Sequence, residues 1–404
     1  MSDAHRRTIV IVVPDLGAGG SVSAVAVRQA GELSARHCVI LMSRTPPLET
    51  LPAVEFVGIH TSKWKWLRRF CHVPRELSFA IAVRQALGRL HERTPIDVVW
   101  FHSHSTTAMS AAPLRSLGVQ AFMTTHGDIF DRPPGTYAKE LAWFYRQVTP
   151  AAYRRADRIQ VLSPAMRDRA IASGALPAHI RVVPNGIDPA EIGLPANLQA
   201  RTAGSFLPRQ TLRLLYVGSL GYVKGPDVLI RAVAVLRSQN PNGLDVEACF
   251  VGGGDATELQ ELSFQLGLGE SIRFLGPRPR TALGALYLDC DIVCVPSRSE
   301  ALSTAALEAM LCGVPVVASR TGGLLTMVED GVTGYLANPD DPKSLARAIL
   351  KASSSREGLA AMGQRGLEKV QREFTWSGVA AQLQEMLDDE FATGAAPVRV
   401  QSHG

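Results

Sequence analysis

At 404 residues the chain is too long for one compact core, so two domains are expected. Hydrophobic residues at 46% and charged residues at 20% are ordinary for a folded globular protein, and no apolar run approaches the length that spans a bilayer. A net charge of +5 suits anionic substrates or an anionic membrane face, and no nucleic-acid-binding motif accompanies it.

The opening MSDAHRRTIVIVVPDLG reads as a charged tail and then a strand, without the small-residue cleavage site of a signal peptide, so a cytoplasmic protein is expected. Thr8 to Val13 is a near-continuous apolar run that stops at Pro14 and Asp15. Gly17, Gly19 and Gly20 follow, and then a helix-like stretch to Ala35. A glycine turn between a first strand and a first helix lets a ligand approach the backbone closely. The spacing GAGGS is not GxGxxG, and His37 to Ser43 closes on Ser43 and Arg44 rather than on an acid, so a tight turn alone is the competing reading.

Residues 61–93 carry eight basic side chains against Glu76 and Glu92, and the segment KWKWLRRF interleaves Trp64, Trp66, Leu67 and Phe70 with charge. Such a stretch favours a lipid headgroup layer or a lipid-linked acceptor; a solvated helix face with inward aromatics is the alternative. Ile96 to Phe101 and Ala121 to Thr125 read as buried strands, and they lead into His102, His104 and Ser105 and into His126, Gly127 and Asp128. Ligand-facing residues collect at strand ends in parallel sheets, although a histidine there can also be a structural hydrogen-bonder. ADRIQVLS and IRVVPNGID supply two further strands, and the polar, Pro- and Gly-dotted stretch 189–210 reads as a linker.

A second α/β array starts with Leu212 to Val217 and the turn GSLGYVKG. Lys224 closes this turn ahead of Pro226 and an apolar helix, where cation, amides and helix dipole all favour a phosphate. Val246 to Val251 with Gly252 to Gly254, and then Ile272 to Leu275, continue the array. The stretch DIVCVPSRSEALSTAALEAMLCGVPVVASRTGG, 291–323, reads as strand, polar turn, helix and strand, with Ser303 or Thr304 capping the helix and Gly313 ending it. That helix is apolar nearly all round yet carries Glu308, and burying an unpaired carboxylate costs several kcal/mol, so Glu308 must meet a partner or border a cleft. Glu300 sits eight residues earlier in the loop feeding the same helix. Glu300, the Leu302, Ser303 and Thr304 amides and Glu308 together form one side of an expected sugar-nucleotide site. A structural Glu308 paired with a core arginine is the other reading. Residues 340–351 and 357–373 look like outer helices, and 392–404 a disordered tail. The six cysteines fall mostly in apolar segments without a CxxC pair, which favours buried thiols over zinc or disulfides.

Glu, seven residues, Glu, followed by AMLCGVPVVAS and a double glycine, resembles the signature of the retaining family-4 glycosyltransferases of the GT-B fold. The resemblance covers nearly all of 8–391. It implies that Glu308 holds the ribose hydroxyls, Glu300 faces the donor sugar, the intervening amides take the diphosphate, and His126 of THGD lies at the donor sugar. It also implies that the Gly19 and Gly20 loop contacts donor phosphates or acceptor, and that the loop Gly276 to Thr281 borders the base through its backbone, with Arg278 taken as a further donor contact. The family pattern has an arginine directly after the first glycine of the GSLGYVKG loop; here Ser219 replaces it while Lys224 is kept, which leaves Arg278, Arg280 or Arg298 to compensate.

The expected fold class is therefore α/β, GT-B, with two Rossmann-like domains facing across a cleft. Residues 1–190 form the acceptor-side domain, 211–373 the nucleotide-sugar domain, and the helix 374–391 packs back on the first. The expected chemistry is metal-independent transfer of a hexosyl unit, with retention, from a nucleoside diphosphate sugar to a glycan or lipid-linked acceptor in polysaccharide or glycoconjugate synthesis. Lys224 stabilises the leaving diphosphate while Glu300 and His126 position the sugar. No cofactor and no nucleic acid are expected, and a peripheral position on the inner face of the cytoplasmic membrane through 61–93 is. Two other readings stay open: a nucleotide-sugar epimerase, and a non-catalytic GT-B-like partner subunit, suggested by Ser219 and by ALST after Glu300.

Overall fold

The computed structural model describes residues 6–17, 21–49, 51–61, 73–127, 139–194, 211–239 and 245–389. Gly19 and Gly20, the KWKWLRRF segment, Asp128, most of the expected linker and the C-terminal tail lie outside them. The chain divides into two compact units, Met1–Val183 with Ala380–Gly404, and Pro184–Val379.

In the first unit β1 (Thr8–Val12), α1 (Ser21–Ser34), β2 (Cys38–Ser43), β3 (Val54–Gly58), α2 (Val73–Arg93), β4 (Val98–Phe101), α3 (His104–Arg115), β5 (Gln120–Thr124), α4 (Lys139–Arg155), β6 (Arg158–Val161), α5 (Pro164–Ala172) and β7 (Ile180–Val182) follow in turn. The sheet is wholly parallel in the order β3-β2-β1-β4-β5-β6-β7. Helices cover both faces of such a sheet, which is why its strands are apolar runs rather than alternating ones: Ile9 to Val12 are completely buried. Phe79, Val83 and Leu87 of α2 lie on this core at the four-residue spacing of one helix face.

The second unit holds β8 (Thr211–Val217), α6 (Pro226–Ser238), β9 (Asp245–Val251), α7 (Thr257–Gln265), β10 (Ile272–Gly276), α8 (Leu283–Asp289), β11 (Ile292–Val295), α9 (Thr304–Leu311), β12 (Val316–Ser319), α10 (Leu324–Met327), β13 (Gly334–Ala337), α11 (Pro342–Ala352) and α12 (Arg356–Glu373). Its parallel sheet runs β10-β9-β8-β11-β12-β13. Val233 of α6 and Ile349 of α11 are both fully buried in the same core as Leu214 and Val317, and each such side chain contributes roughly 1.5–3 kcal/mol by leaving water. In each sheet the strand order reverses beside the first strand, between β1 and β4 and between β8 and β11. In open α/β sheets such a reversal is where loops leaving adjacent strands diverge and ligands bind at the carboxyl edge.

A last helix, α13 (Trp376–Asp388), starts in the second unit, and its residues from Ala380 group with the first. Residues 184–190, counted with the first domain on sequence, group with the second unit. Contacts explain this: the Ile187 amide donates to Phe374 O at 2.8 Å, and Trp376 Nε1 donates to Glu191 Oε1 at 2.7 Å. β3 and β13 were not anticipated. Both are edge strands, β3 half exposed with Glu55 in it and β13 only four residues long and opening on Gly334, so neither carries a buried apolar run.

Candidate active site

At the carboxyl edge of the second sheet, beside the β8/β11 reversal, the chain brings two of the sequence-predicted residues into contact. Lys224 ends the short turn Tyr222–Lys224 after β8, and Glu300 lies in the loop after β11. Lys224 Nζ is 2.7 Å from Glu300 Oε2, which also accepts from Ser297 Oγ at 3.1 Å. Glu300 is only 6% exposed, so the ammonium and the hydroxyl compensate a carboxylate that could not otherwise be held there.

The loops meet backbone to backbone, which only glycine allows. Gly225 has φ +66°, and a Cβ on it would lie 2.2 Å from Pro296 O. Gly323, the second of the double glycine, donates its amide to Glu300 O at 2.9 Å, and a Cβ there would lie 2.1 Å from Ala301 O. The glycine pair thus seats the Glu300 loop.

α9 begins where that loop ends. Ser303 is the N-cap, its Oγ accepting from the Ala306 amide at 3.3 Å. The Leu302, Ser303 and Thr304 amides have no acceptor among the described residues. Free amides at the positive end of a helix attract an anion.

Glu308, one turn further on, is 3% exposed and fully engaged. Tyr287 OH donates to Oε2 at 2.7 Å and Arg280 Nε to Oε1 at 3.1 Å, while Arg280 Nη1 reaches Glu191 Oε2 at 2.6 Å. Burial pushes the Glu308 carboxyl above the usual carboxylate range, and Arg280 and Tyr287 pull it back. The structure therefore contains the buried Glu–Arg pair that the sequence left as an alternative. These two bonds occupy two of the about four lone-pair positions on this carboxylate. Lys224 and Glu308 are not in contact; Glu300 and Glu308 are joined through the loop and first turn of one helix.

Of the arginines expected to compensate for Ser219, Arg280 and Arg298 are both committed to carboxylates. Arg280 is shared between Glu308 and Glu191, and Arg298 between Asp227 and Asp340. Arg278 is exposed and makes no ion pair among the described residues. Ser219 is exposed too, and its carbonyl accepts from Tyr216 OH at 2.6 Å. Burial, with Glu300 and Asp227 adding to it, pushes the Tyr216 phenol up, so it remains a neutral donor.

His126 follows β5 in the first unit. Its Nε2 lies 2.8 Å from His102 Nδ1, and the rings stack with centroids 5.1 Å apart. Burial and the neighbouring His104 bring His126 down to about 4, and burial and His126 take His102 well below its usual value. Both rings are neutral at pH 7, one donating and one accepting. His102 Nε2 is buried without a partner among the described residues.

Sequence reasoning missed Tyr287, Ser297 and Glu191. Tyr287 lies in an apolar helix with nothing local to mark it, and Glu191 comes from the stretch taken as linker. Among the described residues no group of three or more His, Cys, Asp or Glu side chains is placed to hold a metal ion.

Two family models match the chain: Glycosyltransferase Family 4 over residues 19–191 and Glycosyl transferases group 1 over residues 203–369. D-inositol 3-phosphate glycosyltransferase 1 of Catenulispora acidiphila is 31% identical over 315 residues, 73% of this chain and 73% of that protein. The D-inositol 3-phosphate glycosyltransferase of Corynebacterium kroppenstedtii is 33% identical over 247 residues, 59% of this chain and 54% of that one. The chain thus spans about half the length of most of these curated relatives. Among solved structures, sucrose-phosphate synthase from Thermosynechococcus elongatus superposes with a TM-score of 0.77 at 22% identity, covering 95% of this chain and 98% of that one. Anabaena HepE in complex with UDP and glucose superposes with a TM-score of 0.73 at 22% identity, covering 95% and 100%. The fold is a two-domain GT-B fold, and the chain belongs to glycosyltransferase family 4.

Proposed function

We propose that the protein transfers a hexosyl unit from a nucleoside diphosphate sugar to an acceptor hydroxyl with retention at the anomeric carbon. The contact of Lys224 with the buried Glu300 carries this reading, because it sets an ammonium beside free helix-terminal amides at the crevice where open α/β sheets bind ligands. In the proposed complex the amides of Leu302 to Thr304 and Lys224 take the diphosphate, and Glu308 holds the ribose hydroxyls. Glu300 and His126 position the sugar. Leaving-group charge develops on the diphosphate beside Lys224, and a donor phosphate oxygen takes the acceptor's proton on the face the leaving group departs from. In this scheme no metal is needed to stabilise that charge. Arg278, Ser219 and the Gly19 and Gly20 loop are proposed as further donor contacts. Support for a nucleoside diphosphate sugar also comes from HepE, a fold relative solved in complexes with UDP and with UDP-glucose.

A thermal-shift screen against UDP-, GDP- and ADP-sugars tests the reading. One nucleotide series should raise Tm by several degrees at millimolar concentration; no shift with any of them refutes it.

For the acceptor we propose a glycan or lipid-linked molecule, reached with 61–93 against an anionic membrane. α2 exposes Leu77 and Ile81 beside Arg84 and Arg89 on its outer side, a mixed apolar and basic face of the kind that rests on headgroups. Among the described residues no helix is long and apolar enough to cross a membrane. Pelleting with phosphatidylglycerol vesicles should carry the wild type down, and a Leu77→Ser/Ile81→Ser/Arg84→Ala variant less so; equal, negligible pelleting removes the membrane from the proposal. The curated relatives are named for D-inositol 3-phosphate, so a phosphorylated polyol is the second acceptor class to assay.

A further inference from the structure

Arg298 lies two residues before Glu300 in the loop after β11, and it is 13% exposed. All of its guanidinium nitrogens are engaged. Nη1 donates to Tyr222 O at 2.6 Å and to Asp227 Oδ1 at 2.9 Å, Nη2 donates to Asp227 Oδ2 at 2.7 Å, and Nε and Nη2 reach Asp340 Oδ1 at 2.9 and 2.6 Å. The guanidinium carbon Cζ lies over the Tyr222 ring, 3.9 Å from its centroid, and the Arg298 amide donates to Val223 O at 2.8 Å.

These partners come from three places. Tyr222 and Val223 form the turn that ends in Lys224, Asp227 opens α6, and Asp340 precedes the N-cap of α11. Asp340 is the one non-glycine residue at positive φ, 58°, among the described residues. A strained backbone of this kind persists where the surrounding contacts over-determine it, and Arg298 supplies two of those contacts.

We infer that Arg298 is a positioning residue which clamps the turn after β8 to the loop after β11 and so sets Lys224 Nζ against Glu300. This rests on the reading of that pair as donor-site machinery. The fork geometry is what the clamp needs: a bidentate grip on Asp227, a second carboxylate at Asp340, and a flat face for Tyr222. Lysine keeps the charge and supplies none of the three. With the clamp gone, Lys224 and Glu300 remain in the protein but no longer in register, and a displacement of about 1 Å in such groups costs on the order of 10²-fold in turnover. The diphosphate's other contacts, the helix amides of 302–304, lie on the same loop beyond Glu300 and remain held there by Gly323.

The test compares the full-length wild type with Arg298→Lys, Arg298→Ala and Asp340→Asn. It reads UDP, GDP and ADP affinity by calorimetry, release of UDP, GDP or ADP from the corresponding nucleotide glucose, and hydrogen exchange at the 222–225 amides. Expected are a loss of kcat near 10²-fold in both Arg298 variants, a smaller loss in Asp340→Asn, nucleotide affinity changed less than about threefold, and faster exchange at Lys224 and Gly225. Turnover within about twofold of wild type in Arg298→Lys overturns the inference, as does a parallel loss of affinity and turnover across the variants. Should Arg298→Ala not fold, Arg298→Lys and Asp340→Asn decide. A wild type that binds and turns over none of the three donors refutes the functional reading itself. The clamp is then judged by exchange, and wild-type protection at Lys224 and Gly225 in Arg298→Lys overturns it.

Discussion

Lys224 Nζ and Glu300 Oε2 stand 2.7 Å apart although the residues are 76 apart in the chain. The contact is made by topology: β8 and β11 are sheet neighbours at the point where the strand order reverses, and each residue lies in the loop leaving its strand. Glu300 is buried and Lys224 is about one-third exposed, so the cation keeps a water-facing side from which it can meet an anion. In the proposed complex the diphosphate competes with Glu300 for the ammonium, and the free amides of α9 add to the pull.

Lys224→Ala should depress kcat by roughly 10²-fold with a smaller change in donor KM, because the ammonium acts mainly on charge that grows in the transition state. Its effect on stability should be about 1–3 kcal/mol, since the buried Glu300 carboxylate is then left with Ser297 Oγ alone. Steady-state kinetics together with thermal unfolding check both parts. Intact turnover places the charge that stabilises the diphosphate elsewhere.

Gly323→Ala tests the seating of the Glu300 loop. The added Cβ would meet the backbone carbonyl of Ala301 at 2.1 Å, so backbone has to move. A cost of about 1–3 kcal/mol in stability is expected, with a disproportionate loss of turnover because the displaced segment carries Glu300. Denaturant unfolding and kinetics on the same variant separate the two effects. A variant with wild-type stability and activity shows that the glycine is not needed there.

Most strands were legible because parallel sheets bury both faces and leave uninterrupted apolar runs, as in Ile9 to Val12 and Ile292 to Val295. The edge strands β3 and β13 were not legible, since Glu55 and Gly334 break the pattern that burial imposes elsewhere. Glu308 could be singled out because a carboxylate in an apolar helix demands an explanation. Its partners Tyr287 and Arg280 could not be named, because they come from a different βα unit and only the sheet order sets them opposite it. The arginines near the loops looked interchangeable on sequence. Folding divides them: Arg298 is consumed by two aspartates, Arg280 by two glutamates, and Arg278 is left exposed.

Acid stability should report on the His102–His126 pair. His126 titrates in the folded protein at about 4, below the 6.5 of an unfolded histidine, so between these values the unfolded chain binds the extra proton. The pair's contribution is therefore present above pH 6.5 and is lost as pH falls towards 4, by up to about 3 kcal/mol for His126 alone. Denaturant unfolding from pH 7 to 4 should show this slope, and a His102→Gln/His126→Gln variant should flatten it. An unchanged slope in the variant assigns the acid sensitivity to other groups.

Glu308 supplies the most direct measurement. Calorimetric titration of the donor nucleotide into wild type, Glu308→Gln and Glu308→Ala should show affinity reduced about 10- to 100-fold in both variants, the size of a lost charge-assisted hydrogen bond to a ribose hydroxyl. Circular dichroism on the same samples confirms that Arg280 and Tyr287 have not unfolded α9 in its absence. Wild-type affinity in a folded Glu308→Gln protein would contradict the donor site proposed here and leave Glu308 as a purely structural partner of Arg280.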